Sequence, residues 1–132
     1  MKTKRVLVID NEQYIQEVTQ ICLETVAGWQ VITASSGIEG IKKAEGEQPD
    51  AILLDLIMPE MDGLMTFEKL QENPLTCEIP VIFLTARIST SSDCPLVNGK
   101  ADCNGKITTA IPKPFNPLEL ANQISEILGW TA

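Results

Sequence analysis

The chain alternates short apolar runs with longer stretches whose apolar residues recur at helical spacing. Val6–Ile9, Val31–Ala34, Ala51–Leu54 and Val81–Leu84 are rich in aliphatic and β-branched side chains. Runs of this length and composition predict strands buried on both faces. Ile107–Ile111 is a weaker fifth candidate. From Glu12 to Ala27, the positions Ile15, Val18, Cys22 and Val26 fall three or four apart and predict a helix with one apolar stripe. Ile38, Ile41 and Ala44 repeat the spacing, as do Leu64, Phe67 and Leu70. The clearest stripe is Leu118, Ala121, Ile124, Ile127 and Leu128. Asn116 can cap that helix, Pro117 suits its first position, Glu119 complements its dipole and Gly129 can close it.

Strand–helix alternation with near-continuous apolar strands predicts an α/β fold, a parallel sheet covered by helices on both faces. Arg87 to Gly105 breaks the rhythm. Ser89, Ser91, Ser92, Pro95, Asn98, Gly99, Asn104 and Gly105 interrupt it, and no apolar stripe runs through. A short or irregular helix with extra loop is predicted there.

The 132 residues, 44% hydrophobic and 21% charged, suit one folded domain over 1–132. No apolar run approaches the roughly 18–20 residues that span a bilayer. The basic start Met1–Arg5 leads into an apolar run that stops at Asp10, too short for a signal-peptide core. A cytoplasmic protein without membrane contact is expected. Net charge is −8 and no basic stripe is present, which predicts no direct contact with nucleic acid. Cys22, Cys77, Cys94 and Cys103 form no C-x-x-C pair and the chain has no histidine. That set disfavours a zinc site and suits reduced thiols.

In open sheets of this kind, ligands bind beyond the carboxyl ends of the strands. The first strand ends in Asp10-Asn11-Glu12, the third in Asp55, the fourth in Thr85-Ala86, and the fifth runs into Lys113-Pro114. Taken singly, Asp10 could be a helix cap, Thr85 a strand residue and Lys113 a surface charge. Together they place two carboxylates, an amide, a hydroxyl and an ammonium on one rim. A carboxylate can attack a phosphoryl group to form an acyl phosphate. A hard divalent cation on neighbouring oxygens offsets the repulsion between the two anions, and an ammonium neutralises a further phosphoryl oxygen.

Val6-Leu7-Val8-Ile9-Asp10-Asn11-Glu12 and Asp55-Leu56-Ile57-Met58-Pro59-Glu60-Met61-Asp62-Gly63 resemble two signatures of the receiver domains of two-component signalling. Leu84-Thr85-Ala86 and Lys113-Pro114-Phe115 resemble the other two, in the family's order. The resemblance implies a flavodoxin-like, doubly wound sheet of five parallel strands in the order 2-1-3-4-5. It implies that Asp55 accepts a phosphoryl group from a histidine kinase or phosphotransfer protein. Asp10, Asn11, Asp55 and the Ile57 carbonyl would hold Mg²⁺. Thr85 would be the switch hydroxyl, Ala86 an amide donor and Lys113 the neutralising lysine.

The chain departs from the family at three places. Asn11 stands where a second acid is usual, which removes one negative charge and predicts weak Mg²⁺ binding. Ala110 occupies the position of the usual aromatic switch. The segment after Thr85 is longer than usual. The expected function is a free-standing signalling module that acts on an unidentified downstream protein. It is not an enzyme beyond assisting its own phosphorylation and dephosphorylation. The alternative is a pseudo-receiver, an interaction domain that never uses phosphate. A phosphatase with a strand-end Asp-x-Asp motif is disfavoured because that motif is missing. A flavin-binding protein is disfavoured because Asp10-Asn11-Glu12-Gln13 is the wrong loop chemistry.

Overall fold

A computed structural model describes residues 4–55, 63–85, 96–97, 100–103, 106–112 and 117–129. Four strands, β1 (Arg5–Ile9), β2 (Gln30–Ala34), β3 (Ala51–Asp55) and β4 (Val81–Thr85), pair in parallel in the order β2-β1-β3-β4. This is the order expected for the first four strands. β3 is buried at every residue, and β1 at every residue after Arg5. With both faces covered, neither face selects polar residues, so these strands read as apolar runs without alternation.

The helices are α1 (Gln13–Cys22), α2 (Gly37–Glu47), α3 (Gly63–Glu72) and α4 (Pro117–Leu128). Successive strand residues point to opposite faces, and two cores result. Leu7, Ile9, Ile52, Leu54 and Phe83 meet Ala44 of α2 with Phe67 and Leu70 of α3. Val6, Val8, Leu53, Ile82 and Leu84 meet Leu23, just beyond α1, and Leu120, Ala121 and Ile124 of α4. Burying each large side chain stabilises the fold by about 1.5–3 kcal/mol. Phe67 and Phe83 add an edge-to-face contact at 5.3 Å.

The first helix differs from its expected stripe. Cys22 leads into a π-helical turn, Leu23–Ala27, closed by Gly28 at φ 70°. A wider turn advances fewer degrees per residue, so the apolar face slips out of phase. Leu23 is wholly buried, whereas Val26 is 50% exposed. Among the cysteines with described side chains, Cys22 and Cys77 are free thiols. No helix of the described residues is long and apolar enough to cross a membrane.

Beyond β4 the sheet departs from the five-strand expectation. β7 (Lys106–Pro112) pairs in parallel with β4, with Thr85 opposite Pro112. It then pairs antiparallel with β6 (Lys100–Cys103), which pairs antiparallel with β5 (Leu96–Val97). The sheet has seven strands, in the order β2-β1-β3-β4-β7-β6-β5. Where an irregular helix was expected, the described residues are strands. The pairs Val97↔Lys100 and Cys103↔Lys106 each leave two residues to connect their strands. Those residues are Asn98-Gly99 and Asn104-Gly105. Asn-Gly is the dipeptide most favoured in two-residue hairpin connections.

One close approach ties α2 to the strand that leads to the site. A Cβ added at Gly40 would lie 2.4 Å from Cδ1 and 2.6 Å from Cγ1 of Ile9, a residue with no exposed surface. Gly40→Ala therefore forces α2 away from β1. It is expected to lower stability by about 1–2 kcal/mol net, despite about 1 kcal/mol of gained helix propensity. Urea melts check this, and an unchanged or higher midpoint would show that Ile9 moves aside at no cost.

Candidate functional site

The site is built at the carboxyl ends of β1, β3 and β4. Ile9 pairs with Leu54, so the residues that follow them, Asp10 just past β1 and Asp55 at the end of β3, stand side by side. Asp10 is completely buried and Asp55 is 4% exposed. Glu12, itself exposed, joins them. One carboxylate oxygen from each of Asp10, Glu12 and Asp55 lies within 4.8 Å of the other two.

Backbone contacts hold the turn from β1 into α1. The Asp10 N–H donates to the Ala34 carbonyl at 3.0 Å, which carries the β1–β2 ladder one residue past the strand. The Glu12 N–H donates to Asp10 Oδ1 at 2.9 Å. Gln16 Nε2 donates to the Asp10 carbonyl at 2.6 Å and to Ser35 Oγ at 3.1 Å, linking α1 to the loop after β2. That loop is pinned in turn, because the Ser35 N–H donates to the Glu39 carboxylate at 2.7 Å. This N–H, helped by the Lys43 ammonium, lowers the Glu39 pKa below the ordinary carboxylate value.

The residues singled out in the sequence divide into three groups. Asp10 and Asp55 come together. Thr85 is the last residue of β4, one position beyond the Asp55↔Leu84 pair, and Asn11 is an exposed residue between Asp10 and Glu12. Ile57, Ala86 and Lys113 lie outside the described residues. Glu12 is the residue that sequence reading left without a role. It stands two positions past Asp10, where it reads as the acidic start of a helix.

Three carboxylates this close call for positive charge. At an effective dielectric near 20, two unit charges 4.8 Å apart repel by about 3 kcal/mol. The donor set is all oxygen, which suits a hard cation rather than zinc or copper. Two oxygens on opposite sides of one Mg²⁺ stand about 4.2 Å apart. The cluster thus fits direct ligation after a small side-chain shift, or ligation through one bridging water.

Comparison with known proteins agrees with this geometry. The family described as the response regulator receiver domain matches residues 6–125. The chain belongs to that family. It is 36% identical over 125 residues to the alkaline phosphatase synthesis transcriptional regulatory protein PhoP of Bacillus subtilis, matching 95% of this chain and 48% of that protein. It is 33% identical over 127 residues to the DNA-binding dual master transcriptional regulator RpaA of Synechocystis, matching 96% of this chain and 50% of that protein. The chain thus spans about half the length of these curated relatives.

Among solved structures, the chemotaxis protein CheY4 of Vibrio cholerae superposes with a TM-score of 0.80 at 25% identity, covering 96% of this chain and 99% of that one. The receiver domain of the sensor histidine kinase PA1611 of Pseudomonas aeruginosa has a TM-score of 0.79 at 22% identity, over 97% and 99% of the two chains. That structure holds a magnesium ion in its active-site cleft.

One expectation is overturned here. A net charge of −8 predicts no direct contact with nucleic acid. The matched relatives are transcriptional regulators, one of them named as DNA-binding, and about half of each lies outside the match. The charge of a receiver domain reports on its own surface and does not limit what an output domain or partner contacts.

If the buried acids repel one another, removing one charge should stabilise the cation-free protein. Asp10→Asn keeps an oxygen that can accept from the Glu12 N–H. Its urea midpoint in EDTA is expected to rise by an equivalent of about 1–3 kcal/mol. Asp10→Ala, which also loses the acceptor, should gain less. A lower midpoint for Asp10→Asn would show that Asp10 is held mainly by attraction.

Proposed function

We propose that the chain is a phospho-accepting signalling module. Asp55 takes a phosphoryl group from a histidine kinase or phosphotransfer protein in a Mg²⁺-dependent reaction. The observation that carries this reading is the juxtaposition of buried Asp10 and Asp55 with Glu12 at the ends of β1 and β3. An Asp55 carboxylate oxygen forms a bond to phosphorus as the bond from phosphorus to the donor nitrogen breaks, and the electron pair leaves with the imidazole. The product is an acyl phosphate on Asp55.

Asp10 and Asp55, with the Ile57 carbonyl and the side chain of Asn11, are the groups that family likeness assigns to the cation. When bound, Mg²⁺ neutralises the phosphoryl oxygens as they approach the carboxylate. Burial of Asp55 lowers the local dielectric and strengthens charge interactions there. By the same likeness, Lys113 neutralises a phosphoryl oxygen, the Ala86 N–H donates to another, and the Thr85 hydroxyl turns toward the new anion. The protein turns over no external substrate and acts in the cytoplasm.

The output reading follows PhoP and RpaA, in which transcription is the controlled event, with a DNA-binding partner or output domain receiving the signal. The alternative, a phosphorylation-independent pseudo-receiver, makes the opposite prediction in a single experiment. Incubation with acetyl phosphate and Mg²⁺, read by intact mass, should add one phosphoryl group to the protein. Asp55→Asn or excess EDTA should abolish the gain. Absence of label on the parent protein supports the pseudo-receiver, and undiminished label on Asp55→Asn moves the acceptor elsewhere.

A further inference from the structure

An amide at position 11 leaves Asp10 and Asp55 one carboxylate short of the usual acid set. The structure offers a third carboxylate from the next residue along. We propose that Glu12 is a ligand of the divalent cation, directly or through one water, and that it supplies the charge Asn11 lacks. This rests on the Mg²⁺-dependent reading of the site given above.

Three observations carry the assignment. The first is distance, since a Glu12 oxygen lies within 4.8 Å of oxygens from both Asp10 and Asp55. The second is the place of Glu12 at the start of α1. It is the N-cap residue of α1, with extended φ −90° and ψ 113°, yet its side chain accepts no capping hydrogen bond. Glutamate is not among the preferred capping residues, so the start of the helix does not depend on this carboxylate.

The third is reach. The Glu12 N–H is fixed on Asp10 Oδ1 at 2.9 Å, which holds the Glu12 backbone close to the cluster. Glutamate carries one methylene more than aspartate, and the longer arm compensates for a start one residue further into the helix. The restored count is three carboxylates around one cation, as in a relative with an acid at position 11. Because Glu12 is exposed while Asp10 and Asp55 are buried, it closes the site from the solvent side.

The test is calorimetric titration of the parent protein, Glu12→Gln and the double variant Asn11→Asp/Glu12→Gln with Mg²⁺. Urea melts in EDTA run alongside establish that each variant is folded. Glu12→Gln is expected to bind Mg²⁺ roughly 5–30-fold more weakly. Its cation-free form should be at least as stable as the parent. The double variant, which moves the carboxylate back one residue, should recover to within about threefold of the parent. Affinity of Glu12→Gln within about twofold of the parent, or no recovery in the double variant, overturns the proposal. If the parent is labelled by acetyl phosphate in a Mg²⁺-dependent way while Glu12→Gln binds normally, only the assignment of Glu12 fails. If the parent binds no Mg²⁺ at all, the Mg²⁺-dependent reading falls with it.

Discussion

The site depends on one alignment, the parallel register that sets Ile9 of β1 against Leu54 of β3. A slip of one residue would turn every side chain of a strand to the opposite face. It would also carry Asp10 about 3.3 Å out of step with Asp55. Both strands are buried on both faces, so a slip would place each apolar set against the wrong helices. Leu7 and Ile9 belong with α2 and α3, and Val6 and Val8 with α4 and the π-helical turn after α1. The hydrophobic core thus enforces the register, and the register sets the distance between the acids.

This arrangement explains how two charged groups persist with almost no exposed surface. Asp10 stands where β1 has ended and α1 has not begun, so neighbouring N–H groups are available. The Asp10 side chain accepts from Glu12, and its carbonyl accepts from Gln16.

Much of this was legible in the sequence. The four apolar runs give the central strands to within a residue at either end. The polar residues that end them predict the rim where Asp10, Asp55 and Thr85 lie. Two features were hidden. Glu12 was masked because an acid in the first positions of a helix has an ordinary explanation in the helix dipole. Its proximity to Asp55 depends on side-chain reach, which spacing does not encode. The seven-strand sheet is hidden because Asn98-Gly99 and Asn104-Gly105 also read as helix breakers. The same dipeptides are hairpin signals when the intervals between them suit short strands. Val26 was misplaced because nothing in an apolar stripe announces a π-helical turn.

The antiparallel extension changes how the far side of the sheet can respond to motion at the end of β4. A helix lying against a strand is held by side-chain contacts and can slide or tilt by fractions of an ångström. β7 is instead clamped by hydrogen-bonded ladders on both edges, to β4 on one and β6 on the other. Ladders change register only in discrete steps, so β7 cannot creep along its axis without breaking both at once. Motion at the end of β4 must therefore pass through this part of the sheet as twist or bending of the whole three-strand unit. The hairpin acts as a lever fixed to the sheet, not as a piston moving beside it.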